Sequence, residues 1–222
     1  MKFRLRTALR LAVACACAAV VLAPTASADL VVGVADDQPK TSPAIAERFY
    51  DAMNDVGLTE DRITILWDPT APTTIRERDQ IAHTVAVAAE HHVHLTFSIY
   101  PDRARAITDS PRATGEFAAF TAIVAREFPQ VKDFIVGNEP NKGRFWQPQF
   151  NPDRTAAACA AYEPVLAASY DALKRVDSGI TVIGVGLGPR GSDNPFAGAN
   201  LSISPLRCKR SSSASLRRLS VV

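Results

Sequence analysis

The chain has 222 residues and a formal net charge of +2. That balance hides two basic ends, Lys2, Arg4, Arg6 and Arg10 at the start and Arg207, Lys209, Arg210, Arg217 and Arg218 at the finish. Neither end holds an acid, so the body between them carries −7. An acidic body argues against nucleic acid as a partner.

Residues 1–28 read as a secretory leader. Basic residues precede an apolar run over 11–22, and Ala26-Ser27-Ala28 offers a small-residue cleavage pattern. The run is too short to span a bilayer. The expected mature chain starts near Asp29, is secreted and extracellular, and keeps no stable membrane anchor. Cys15 and Cys17 leave with the leader. Cys159 and Cys208 remain, and export permits a disulfide between them without the sequence showing that they meet.

Beyond the leader, strand-like and helix-like segments alternate. An apolar strand over 30–35 ends at Asp36-Asp37. Ser42 and Pro43 open a helix that Gly57 stops. A second strand over 62–67 runs into Asp68-Pro69, and a helix is expected from about Arg76 to Glu90. The third strand, 93–100, ends at Pro101. Ser110-Pro111 then caps a helix that runs to Phe128. The fourth strand, 133–137, leads into Asn138-Glu139-Pro140-Asn141. An alanine-rich helix over 156–176 follows, which Pro164 should kink or divide. The fifth strand, 180–186, ends at Leu187-Gly188-Pro189.

Serial βα units predict parallel strands. No Gly-rich phosphate loop follows the first strand, so a (β/α)₈ barrel fits better than a dinucleotide-binding doubly wound sheet. His91, His92 and His94 straddle a helix end and a strand start and cannot share one face, so no metal site is expected there. No cofactor is implied.

In such folds chemistry is built at the C-terminal edge of the strands. Glu139, at the end of the fourth strand, is therefore a candidate general acid and base. The competing reading is an ordinary turn, since Asn and Pro are turn residues and Glu is commonly solvated. Trp146, in the loop after the motif, either offers a sugar its flat apolar face or packs that loop onto the rim. Tyr100, at the third strand's end, is a candidate to line a cleft. Asn141 closes the motif and is taken as a further substrate-binding candidate.

With Asn138-Glu139-Pro140 ending strand four of a βα series, residues 29 to about 204 resemble the clan of retaining glycoside hydrolases that share a TIM barrel. The resemblance implies hydrolysis of O-glycosidic bonds in a β-linked oligo- or polysaccharide. Glu139 would protonate the leaving oxygen and then activate water, and Asn138 would hydrogen-bond the sugar 2-hydroxyl. The clan's nucleophile is a second Glu at the end of strand seven, and only about five strands are legible here. Glu116, Glu127 and Glu163 fall in helical segments and cannot replace it. The fold class is thus α/β, an incomplete (β/α)₈ barrel over 29–205. The basic, Ser-rich tail 206–222 reads as disordered or as translation in a shifted frame. The expected activity is impaired accordingly. The alternative is a non-catalytic carbohydrate-binding relic of such a barrel.

Overall fold

The computed structural model describes residues 31–184 and 186–190. Residues 1–28, expected as a leader, with Cys15 and Cys17, and Cys208 and the tail 206–222 lie outside the described residues. Cys159 is fully buried and disulfide-bonded.

Five strands, β1 (Gly33–Val34), β2 (Glu60–Trp67), β3 (His94–Pro101), β4 (Asp133–Val136) and β5 (Thr181–Ile183), pair in parallel in sequence order. A 3₁₀ turn, Gln38–Thr41, and four helices connect them: α1 (Pro43–Asp55), α2 (Arg78–Glu90), α3 (Ala113–Glu127) and α4 (Ala157–Val176). A doubly wound sheet reverses its strand order at a switch point. Here the order never reverses, which is the arrangement of an incomplete (β/α)₈ barrel.

Alternation along the strands decides where the core sits. Ile63, Ile65, Trp67, Phe97, Ile99, Phe134 and Val136 share one sheet face and are at most 1% exposed. They form a single apolar cluster with Tyr50 of α1, Ile81 of α2, Phe117 and Phe120 of α3 and Leu173 of α4. Trp67 meets Phe117 edge to face at 5.5 Å. Fully burying each such side chain stabilises by about 1.5–3 kcal/mol. On the opposite face Leu66, Thr96, Tyr100 and Ile135 are half-buried, while Thr64 and Ser98 are buried. Trp67 therefore faces the helices rather than the barrel interior.

Local chemistry moved several expected boundaries. β1 spans Gly33–Val34, shorter than expected, and beyond its end carboxylates bridge the two strands. Asp37 accepts the Thr64 N–H at 2.7 Å, and the Asp36 N–H donates to Asp61 at 3.3 Å. α1 begins as expected, with Ser42 Oγ accepting the Ile45 N–H at 3.3 Å. α2 starts at Arg78 rather than Arg76, since Glu77 sits at φ 55°, outside helical geometry. α3 starts at Ala113, after a turn in which Arg112 N–H donates to Ser110 Oγ. α4 is one undivided helix despite Pro164. β5 spans three residues, not seven.

Three strand N-termini are joined by one imidazole. His94 Nδ1 lies 2.5 Å from Glu60 Oε2 on β2, and its Nε2 lies 2.7 Å from Asp133 Oδ2 on β4. Among the described residues no group of three or more His, Cys, Asp or Glu side chains could hold a metal ion, and no helix is long and apolar enough to cross a membrane.

Candidate functional site

The sequential parallel strands bring every βα loop to one edge, and Glu139 stands on it. Gly137 ends β4 at φ 79°, a conformation that suits glycine. A Cβ there would lie 2.9 Å from the Tyr162 ring. The Gly137 N–H donates to the Ile99 carbonyl at 2.7 Å, and the Tyr162 hydroxyl donates to the Val136 carbonyl at 2.6 Å. Strand β4 is thus pinned from β3 on one side and α4 on the other, just before the motif.

Glu139 is half-buried and has φ 36°, in the left-handed region that a non-glycine residue enters at a cost of about 1–3 kcal/mol. Its surroundings hold it there. Its carbonyl accepts the Lys142 N–H at 2.8 Å. Buried Gln149 donates to the carbonyls of Pro140 at 2.9 Å and Trp146 at 2.7 Å, closing the loop on itself. Backbone strain of this kind persists where the structure over-determines it, and such positions cluster at functional sites.

Asn141 ties this loop to the next one. Its Nδ2 donates to the Gly188 carbonyl at 2.9 Å, and its Oδ1 accepts the Gly188 N–H at 2.8 Å. A Cβ on Gly188 would fall 3.1 Å from the Glu139 carboxyl carbon, so the loop after β5 lies directly against that carboxyl group. Lys142 Nζ also reaches the Arg190 carbonyl.

The five sequence candidates separate into two groups. Asn138 and Glu139 are half-buried at the edge. Tyr100, half-buried on β3, contacts Phe145 of the Glu139 loop edge to face at 5.8 Å. These three share the rim. Asn141 is fully buried with both ends of its amide engaged by Gly188. Trp146 is buried against Tyr162 at 5.8 Å, in the packing position rather than face-out on the rim. Gly188, Phe145 and Tyr162 were not signalled by the sequence, because their roles rest on contacts across the fold. For Asn141 and Gly188 the separation is 47 residues.

Asp68, Arg76 and Asp102 occupy the same edge. Arg76 bonds Asp68 and reaches Asp102 at 3.3 Å. The Thr70 hydroxyl and N–H, helped by Arg76, hold the Asp68 carboxyl below the usual carboxylate range. Asp68 is therefore an ionised turn residue. Glu116, Glu127 and Glu163 lie on helices, with Glu127 paired to Arg78 and Glu116 to Arg112. None stands at a strand end beside Glu139.

The fold is that of an incomplete (β/α)₈ barrel. No family model matches the chain, and no curated relative matches it. Solved structures do. An endo-1,4-β-mannanase from Rhizomucor miehei aligns with TM-score 0.57 at 12% identity, covering 84% of this chain and 65% of its own. A family 39 glycoside hydrolase from Bacteroides cellulosilyticus aligns with TM-score 0.52 at 20% identity, covering 69% and 31%. A GH5_18 protein from Streptomyces cattleya, solved with Manβ1-4GlcNAc, aligns with TM-score 0.54 at 18% identity, covering 71% and 44%. The chain thus spans between about a third and two thirds of the length of these structures.

Proposed function

We propose that this chain is a secreted, glycoside-hydrolase-like protein whose rim around Glu139 engages a β-linked glycan. The observation that carries the reading is the placement of Glu139. It follows β4 of a sequential parallel sheet, in a strained backbone conformation, with its carboxyl group against the β5 loop. In a retaining mechanism Glu139 supplies the proton to the leaving oxygen and then takes one from water, and Asn138 bonds the 2-hydroxyl. Such chemistry also needs a nucleophilic carboxylate about 5–5.5 Å from the acid. The five described strands do not include the seventh, on which the resemblance places that group. The second reading therefore follows from the same observation: glycan binding without efficient turnover.

One assay separates the two readings. The secreted protein is incubated with aryl β-glycosides and titrated with β-linked oligosaccharides, alongside Glu139→Gln. Turnover that disappears in the variant supports the hydrolase. Binding without turnover, kept or tightened in the variant, supports the binding relic. Neither turnover nor binding at millimolar glycan leaves Glu139 an ordinary turn residue.

A further inference from the structure

A cavity of about 450 Å³ opens on the Tyr100 face of the sheet, on the β1–β2–β3 side of Glu139. Its lining includes Asp37 after β1, Lys40 of the 3₁₀ turn, Thr64 of β2, Glu77 and Gln80 at the start of α2, and Tyr100 of β3. Tyr100 also touches Phe145 in the Glu139 loop. Tyr100 is therefore a wall shared by the cavity and the loop that carries Glu139. Its volume suits a small polar ligand unit.

The charges in this cavity are unusual. Lys40 is buried, yet its ammonium has three partners: the Thr64 carbonyl at 2.9 Å, Glu77 Oε2 at 3.0 Å and Asp37 Oδ1 at 3.5 Å. The ammonium donates hydrogen bonds to Thr64 and Glu77 and pairs electrostatically with Asp37. The two carboxylate side chains are 46% and 45% exposed, and each keeps acceptor capacity beyond its contact with Lys40. One ammonium and two carboxylates leave a local charge of −1. The groups facing the cavity are thus mainly acceptors, with the Gln80 amide and Tyr100 hydroxyl beside them. A buried ammonium held between two carboxylates also fixes the loop after β1 to the start of α2, so the acceptors are pre-positioned.

We infer that this cavity is a subsite for a neutral, hydroxyl-donating sugar residue of the glycan, and that its uncancelled carboxylate excludes uronic acids. Hydroxyl donors complete the carboxylates' bonding. A ligand carboxylate meets the net like charge of Asp37 and Glu77. The inference rests on the glycan-binding reading proposed above and adds to it the class of sugar accepted at this end of the rim.

A matched pair of probes tests it: β-1,4-mannotetraose and the β-1,4-mannuronate tetramer, which differ in the carboxylate at C6. Both are titrated calorimetrically into the full chain, into Asp37→Asn/Glu77→Gln and into Gln80→Ala. Circular dichroism and a thermal melt establish that each variant is folded. The neutral tetramer should bind the parent at least tenfold more tightly than the uronate. The double variant inverts the local charge from −1 to +1 and should reduce that preference at least tenfold. If the double variant does not fold, single Asp37→Asn, which keeps the Oδ1 acceptor for the Thr64 N–H, should reduce the preference about threefold. Gln80, on the exposed start of α2, should weaken the neutral tetramer severalfold on truncation without changing stability. Equal binding of both tetramers by the parent, or a preference untouched in every folded variant, overturns the subsite while leaving the glycan reading intact. Binding of neither tetramer at millimolar concentration overturns both.

Discussion

Two residues at the rim show how backbone constraint is translated into position. Gly137 combines φ 79° with a Tyr162 ring 2.9 Å from where a Cβ would stand. Gly137→Ala should therefore cost about 2–3 kcal/mol, the sum of the left-handed penalty and displacement of a buried ring. For a domain of this size that is a melting temperature lower by roughly 5–10 °C. A variant melting with the parent would mean that Tyr162 does not hold β4's end. Asn141 is the second case. Removing its amide deletes two hydrogen bonds and leaves the Gly188 N–H without its partner. Asn141→Ala should cost about 2 kcal/mol and speed amide exchange at Gly188 by at least tenfold. Unchanged exchange at Gly188 would show that the β5 loop is held by other contacts.

At the scale of the element, the strand starts are as organised as the strand ends. His94 spans β2, β3 and β4 through Glu60 and Asp133. Burial alone lowers its pKa, but the two carboxylates together more than offset that and leave it raised above 6.5. The folded state therefore binds the proton more tightly than the unfolded chain. The resulting stabilisation is complete below about pH 6.5 and is lost as pH rises through the raised folded value. His94→Ala should show a smaller fall in urea midpoint between pH 6 and pH 9 than the parent. Parallel curves for the two proteins would remove His94 from the account. α4 shows an element outlasting its weakest residue. Pro164 offers no N–H to the helix, yet buried Tyr162, Val165, Leu166 and Leu173 keep the helix on the sheet. Packing outweighs the lost bond.

For the whole molecule, titration sets an acidic optimum. Asp61 is 1% exposed, and burial pushes its carboxyl up to about 6, against bonds from the Asp36 N–H and the Tyr50 hydroxyl that pull it down. A carboxyl raised in the folded state contributes less stability as pH climbs from 3.8 to about 6 and nothing further beyond. His94 adds to the loss above that range. In the opposite direction, Asp68, Asp153 and Asp177 are held low, chiefly by hydrogen bonds from Thr70, Thr155 and Lys132. Their contribution is present above about 3.8 and lost as pH falls below it. Stability should therefore peak near pH 4 and decline as pH climbs through 6 and above. Asp61→Asn should melt higher than the parent at pH 7 by about 2–3 kcal/mol of stability and match it near pH 4. A parent whose melting temperature rises steadily from pH 5 to pH 8 would contradict this balance.

The alternation of apolar runs with capped helical stripes determined, from sequence alone, the βα order, the barrel class and the position of Glu139 at a strand end. Those features depend on periodicity and on neighbours a few residues away. Ser42, Pro43 and Gly57 mark α1 for the same reason. The end of β1 was not legible, because it depends on which carboxylates reach the ladder from elsewhere. The fates of Trp146 and Asn141 also had to wait for the tertiary structure. An aromatic or amide in a loop can face solvent or the core, and Tyr162 and Gly188, distant in sequence, decide between these. The same holds for Lys40, whose burial between Asp37 and Glu77 exists only once the loop after β1 meets the start of α2.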